Sequence, residues 1–203
     1  MNAVAAQQLI SNARLRYTLS AAELERINAF LQLRAEWNRT HNLMGPKAAR
    51  DPWQLDVCDA LALNEVFDSR LPLYDVGSGS GVPGLILALV TPEARVILVE
   101  PLSKRAAFLK TAIHQLKINN VSVLRRRWPV DNLTSCQVVS RAVVSPDTWP
   151  ALANTNSVVM TIYRYLALSR PEFTEKDFTL KKTCNYQRSE CEQLCVEQWR
   201  RVQ

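Results

Sequence analysis

The segment Asp75-Val76-Gly77-Ser78-Gly79-Ser80-Gly81-Val82-Pro83-Gly84 holds four of the five glycines in this chain. Glycine carries no Cβ, so a backbone rich in it turns sharply and can approach a ligand closely. The segment follows a short apolar run, Leu71-Pro72-Leu73-Tyr74, and opens into a helical one from Leu85 to Val90. The free N–H groups at a helix start attract negative or electron-rich atoms. A second apolar run, Val96-Ile97-Leu98-Val99, ends on Glu100. A carboxylate in that place can accept hydrogen bonds from both hydroxyls of a ribose. Strand, glycine loop, helix, strand and acid make up the first half of a nucleotide-type cofactor site.

Two patterns fit the loop. Gly79-x-Gly81-x-x-Gly84 matches a dinucleotide fingerprint, a short pattern of low specificity by itself. It leaves a nicotinamide-dependent oxidoreductase open. Asp-x-Gly-x-Gly-x-Gly, starting at Asp75, resembles the loop of Rossmann-type methyltransferases that use S-adenosylmethionine (SAM).

A second chemical signal is positive charge. The net charge of +6 is concentrated after residue 103, where sixteen basic and eight acidic side chains lie. From Lys104 to Arg127 come seven cations (Lys104, Arg105, Lys110, Lys117, Arg125, Arg126 and Arg127) and no acid. Such a run suits a phosphate backbone, although a solvated basic face has the same composition. Lys104 and Arg105 follow Ser103, a candidate helix N-cap. Cations in a first helical turn oppose the helix dipole, which points to an anion nearby, either RNA phosphate or the surroundings of the cofactor.

Positioning these groups requires alternating strands and helices. The expected helices are 3–17 and 20–37, the second opened by the capping box Ser20-x-x-Glu23. Residues 38–49 read as a loop, and Asp51-Pro52 opens a helix running to about Phe67. Strand 72–76, helix 83–90, strand 95–100, helix 103–117, strands 121–125 and 136–140, a short helix 147–153 and strand 157–163 follow. Phe178 to Tyr186 and Glu192 to Trp199 are expected to close the chain as an antiparallel pair. This order implies an α/β fold with a mostly parallel sheet. A length of 203 residues suits one domain, with residues 1–70 as an N-terminal helical cap on a Rossmann-like core at 71–203.

Composition excludes several classes. The hydrophobic content of 47% supports a full core, yet no run reaches the length of a membrane span. Residues 1–10 lack the pattern of a secretory signal. Five cysteines without Cys-x-x-Cys spacing point to free thiols in a reducing cytoplasm and to no metal site. His114 reads as a partly buried helix residue.

The chain resembles the bacterial small-subunit ribosomal RNA guanine-N7 methyltransferases, the GidB/RsmG family, as a divergent member. The resemblance rests on Trp37-Asn38 with Asn42-Leu43, on Asp59, on Asp75 to Gly84 with its Pro83-Gly84 pair, and on Glu100. Leu102-x-Lys104-Arg105 with Phe108-Leu109, Arg127, and Ser140-Arg141-Ala142 complete it. It spans most of residues 20–145.

The resemblance implies a class I SAM-dependent methyltransferase fold, SAM as cofactor, and a guanine N7 of 16S rRNA as acceptor, in naked RNA or the assembled small subunit. It implies SAM contacts at Gly77, Gly79, Val82 and Glu100, with Trp128 and Pro129 beside the adenine and Arg141 near the methionine end. Lys104, Arg105 and Arg127 are candidates for RNA contact. Asn38, His41 and Asn42 are candidates for substrate contact near the methyl group, the alternative being a loop held by side-chain hydrogen bonds. Guanine N7 has an in-plane lone pair and no proton, so no catalytic acid or base is expected. A monomer in the cytoplasm is the default.

The chain also departs from the family. Leu55-Asp56 stands where the family carries Arg-His, Met44 replaces a Thr, and Pro129 replaces a Glu. A Lys-Gly expected after strand 157–163 is missing, and the last hairpin carries Ser189-Glu190-Cys191. These losses fall on the substrate side. They leave open a relative that binds SAM or RNA without turnover, or one with another substrate.

Overall fold

The computed structural model describes residues 1–141, 143–167, 176–189 and 191–202. Its elements follow the alternation expected from the sequence, with informative differences at several ends.

Helix α1 (Ala3–Asn12) starts on Asn2, whose Oδ1 accepts from the Ala5 N–H at 2.8 Å. It is shorter than expected, because Arg14 takes a left-handed φ of 60° and turns the chain away. Helix α2 (Ala21–His41) begins with the expected reciprocal capping box between Ser20 and Glu23. It also continues four residues into the segment read as a loop. Trp37 and His41, one turn apart, stack with ring centroids at 4.9 Å, and Asn42 then closes the helix at φ 48°. A short helix α3 (Pro46–Arg50) lies inside the same expected loop. The helix opened by Asp51-Pro52 begins with a widened π turn, Trp53–Val57, before α4 (Cys58–Val66).

The sheet has seven strands: β1 (Leu73–Val76), β2 (Val96–Val99), β3 (Val121–Leu124), β4 (Cys136–Val139), β5 (Val159–Ala167), β6 (Phe178–Ser189) and β7 (Glu192–Arg201). Their order is β3-β2-β1-β4-β5-β7-β6. The first five run parallel, and β7 pairs antiparallel with both β5 and β6. Strands β2 and β4 are buried at every position, as apolar runs covered on both faces must be. Strand β5 runs beyond 163, and the terminal hairpin exceeds its expected length at both C-terminal ends, because β5 and β6 each pair along nearly all of β7. The outer strand β6 exposes Lys181 and Lys182, and near its far end the Gln187 N–H donates to the Ala13 carbonyl.

Helix α5 (Gly84–Val90) is buried throughout and packs between α2 and α4 on one side and β1 and β2 on the other. Helix α6 (Ser103–Gln115) packs on β3, and α7 (Trp149–Ala153) on β5. One apolar cluster extends from Ala6 and Ile10 through Phe30, Leu61 and Leu85 to Val196, so cap and sheet share a core. His114 is exposed on α6, not partly buried.

Strand order reverses at β1. Chain progression runs outward through β2 and β3 on one side and through β4 and β5 on the other. In open α/β sheets, ligands bind in the crevice at the carboxyl ends of strands flanking such a point. The β1 register pairs Val76 with Val99 on β2 and Asp75 with Val139 on β4. Gly77, Glu100 and Ser140 therefore leave the sheet side by side.

Candidate cofactor cleft

The glycine loop leaves β1 at Gly77, with φ of 72°. A side chain there would be doubly disfavoured, since an added Cβ would come within 2.1 Å of Val143 Cγ2. The Ser78 hydroxyl donates to the Asp75 carbonyl at 2.7 Å, and the Gly81 N–H to the Ser78 carbonyl at 2.7 Å, which closes the turn. At the far end Gly84 opens α5, and its N–H donates to Asp75 Oδ2 at 2.9 Å. An added Cβ on Gly84 would lie 2.7 Å from that same oxygen. Asp75 thus fastens the loop to the helix it opens. Burial pushes its carboxyl up to about 7, against the Gly84 N–H and the Arg141 charge, with Glu100 adding to the rise.

Glu100, 2% exposed, sits across from the loop. Its Oε2 accepts from the Gly79 N–H at 2.9 Å and its Oε1 from the Leu102 N–H at 2.8 Å. Each carboxylate oxygen keeps further lone-pair capacity. The carboxylate is therefore fixed in direction while it remains able to accept more.

A cavity of about 600 Å³ opens over these groups. Its lining includes Gly77, Ser78, Gly79, Val82 and Glu100 from the first two strands and their loops. Leu102, Trp128 and Leu152 supply apolar surface, and the Trp128 indole N–H is fixed by the Leu152 carbonyl at 3.1 Å. Arg141 and Val143 enter after β4, Arg105, Arg126 and Arg127 from the basic run, and Leu43, Met44, Gly45 and Ala48 from the cap.

Of the residues singled out from sequence, Gly77, Gly79, Val82, Glu100, Trp128, Arg141, Arg105 and Arg127 line this cavity. Pro129 is exposed and lies outside the lining, as does Lys104. Ser103 does not cap α6. Leu102 occupies the N-cap position, and the Ser103 hydroxyl accepts from Arg125 Nη1 at 2.8 Å. Asn38, His41 and Asn42 also lie outside the lining. Asn38 Oδ1 accepts from the Met44 N–H at 2.9 Å, His41 stacks on Trp37, and Asn42 is the left-handed cap. They hold the turn whose next residues, Leu43 to Gly45, reach the cavity. Sequence reasoning gave no weight to those three residues or to Arg126, although their adjacency to named positions was a usable signal.

Arg141 is the cation on the cavity floor. Its Nη1 donates to the Leu55 carbonyl at 3.0 Å and to Asp59 Oδ2 at 2.9 Å, and its Nη2 to Asp56 Oδ1 at 2.6 Å. Burial alone would lower its pKa, but Asp59 and Asp56 outweigh that and raise it. The Ser140 hydroxyl beside it donates to the Val76 carbonyl at 3.0 Å and ties the end of β4 to β1. No group of His, Cys, Asp or Glu among the described residues could hold a metal ion.

A Rossmann-like sheet with a glycine loop, a strand-end acid and a cleft at the switch point defines a class I methyltransferase fold. Solved structures of this class resemble the chain across most of its length. The MtNAS protein in complex with S-adenosylmethionine is 16% identical with a TM-score of 0.56, covering 100% of this chain and 85% of that one. Magnesium protoporphyrin IX methyltransferase of Synechocystis, solved with bound SAM, is 12% identical with a TM-score of 0.54, covering 84% and 97%.

Sequence comparison goes further. The profile of GidB, described as rRNA small subunit methyltransferase G, matches residues 23–193. Ribosomal RNA small subunit methyltransferase G of Dichelobacter nodosus is 32% identical over 190 residues, which cover 86% of this chain and 85% of that protein. The protein of the same name from Wolinella succinogenes is 39% identical over 133 residues, covering 64% and 67%. The chain belongs to the GidB family of rRNA small subunit methyltransferases. That membership ends the dinucleotide reading of Gly79, Gly81 and Gly84.

Proposed function

We propose that this protein transfers the methyl group of SAM to N7 of a guanine in small-subunit ribosomal RNA. The observation that carries the reading is the convergence of the glycine loop, Glu100 and Arg141 on one cleft whose mouth is basic. A volume of about 600 Å³ falls within the range of roughly 300–1,000 Å³ common for small-ligand sites.

The lining suits the parts of SAM. Glu100 would accept from the ribose hydroxyls with its remaining lone pairs. Trp128 and Leu102 would flank the adenine. The close backbone of Gly77 and Gly79 would run beside the sugar and the amino-acid end, and Arg141 would face the carboxylate. SAM supplies an activated methyl on a positive sulfur. The protein's part is to align an acceptor that already carries its lone pair, so no side chain need remove a proton first. Such orientation can supply several of the roughly 7–11 kcal/mol available from positioning.

Arg105, Arg126 and Arg127 at the mouth, with exposed Lys104 and Arg125 beside them, would take the RNA backbone. Met44 and Val143 frame the entry for the base. Asn38, His41 and Asn42 would act through the turn they support. The shared core of cap and sheet supports a single domain. Among the described residues no helix is long and apolar enough to cross a membrane, in keeping with a cytoplasmic enzyme that meets the ribosomal subunit as a monomer.

The test is radiolabelled methyl transfer from SAM to small ribosomal subunits and to naked 16S rRNA, followed by mapping of the labelled nucleotide. Label at one guanine N7 is expected. SAM binding with no label in any RNA would overturn the reading in favour of a binding protein without turnover.

A further inference from the structure

Behind the cleft runs a row of five charges: Arg34, Asp56, Arg141, Asp59 and Arg188. Asp56 Oδ2 accepts from Arg34 Nη2 at 2.6 Å, and its Oδ1 from Arg141 Nη2 at 2.6 Å. Asp59 Oδ2 accepts from Arg141 Nη1 and Arg188 Nη2, each at 2.9 Å, and its Oδ1 from the Tyr186 hydroxyl at 2.6 Å. The side chains of Arg34, Asp56 and Asp59 are 0–1% exposed, whereas that of Arg141 is 24% exposed and lines the cavity.

A row of this kind is a poor way to gain stability. Desolvating buried ions offsets much of their attraction, and apolar side chains of similar volume often serve as well. Burial lowers the pKa of Arg34 even with Asp56 beside it, and Arg34 Nε and Nη1 have no partner. Something other than stability accounts for a buried guanidinium left partly unsatisfied.

The geometry of Arg141 supplies a reason. Three of its five N–H donors are taken by Leu55, Asp59 and Asp56, which fixes the plane and rotation of the guanidinium. Its two remaining donors belong to the part that reaches the cavity. Asp56 sits on the π turn Trp53–Val57, in the position where the resemblance shows a His in other family members. Arg34 lies on α2, over the Phe30 ring at 5.6 Å from its centroid. By holding Oδ2, Arg34 leaves Oδ1 directed at Arg141.

We propose that Asp56 and Arg34 are positioning residues for SAM: they orient the Arg141 guanidinium so that its free donors meet the carboxylate of the cofactor's amino-acid end. The proposal rests on the SAM cleft described above. It assigns Asp56 and Arg34 a task in this chain that acts through Arg141, with no contact of their own with the ligand.

Two ligands separate this role from simple support of the fold. SAM carries the carboxylate, and 5′-methylthioadenosine has the same nucleoside without the amino-acid end. Their dissociation constants are measured by calorimetry for the full chain and for Asp56→Asn, Arg34→Leu and the double variant, alongside thermal unfolding. In the double variant, which removes both charges, SAM affinity is expected to fall about 10-fold or more while methylthioadenosine affinity stays within about 2-fold. Its KM for SAM should rise more than its kcat falls. Equal loss of both ligands, or unchanged SAM affinity, overturns the positioning role. If the double variant fails to fold, Arg34→Lys gives the same comparison, because Lys keeps the charge but lacks the planar fork. Failure of the unaltered protein to bind either ligand would instead overturn the SAM cleft itself.

Discussion

The two walls of the cleft are built by different means. The wall formed by β1, β2 and their loops is largely main chain: Gly77 to Gly84, with Asp75 and Glu100 tied to backbone N–H groups at 2.8–2.9 Å. The wall facing the cap is made of side chains from distant parts of the chain, with Arg34, Asp56, Asp59, Arg141 and Arg188 joined in one ionic row. The first wall sets the shape of the cleft through short-range contacts. The second sets charge and direction, and it depends on the whole fold being assembled.

The largest effect should come from the ionic wall. Asp59→Ala would leave Arg141, Arg188 and Tyr186 without their shared acceptor, and breaking a buried pair costs about 3–5 kcal/mol. Urea unfolding should show a loss of that size; a loss below about 1 kcal/mol would place the two walls on an equal footing. On the main-chain wall, Glu100→Ala should leave the fold largely intact. It should lower SAM affinity by roughly 10- to 100-fold, the value of hydrogen bonds to a charged group, as read by calorimetry.

Asp75 sharpens the comparison through pH. Its carboxyl, raised to about 7 in the fold, stays protonated after the unfolded chain has ionised near about 4. The fold therefore binds more protons across that window, and stability should fall as pH rises through it. Asp75→Asn should flatten this part of the profile measured by chemical denaturation at stepped pH; an unchanged slope would remove Asp75 as its source. The smallest effect belongs to the mouth. Arg126→Ala and Arg127→Ala should each reduce the salt dependence of RNA binding by about one counterion, with SAM binding unaltered.

The same contrast explains what could be read from the sequence. The glycine loop, Glu100, the Ser20 capping box and the parallel strands were legible because each is written in neighbouring residues: local turn chemistry, a strand-end acid, an unbroken apolar run. Residues 38–41 were read as loop because Asn38-Arg39-Thr40-His41 has low helical preference. The stacking of His41 on Trp37 and the left-handed Asn42 carry the helix one turn further. The π turn left no sequence signal beyond Asp51-Pro52 before it. The Arg34–Asp56 pair joins residues 22 apart, and Asp59 meets Arg188 across 129 positions. No periodicity connects such partners. Asp56 stood out only as a departure from its family, and the structure supplies the partner that accounts for it.

The outer strand of the terminal hairpin also has a consequence for how the protein behaves in concentrated solution. A twelve-residue strand with one side unpaired is a template onto which another polypeptide could add. Lys181 and Lys182 place two like charges along that border, and the Gln187–Ala13 contact closes it at the opposite end. Growth of fibres or stacked sheets from this side is thereby opposed, so the long hairpin can remain at the rim of the molecule without recruiting its neighbours.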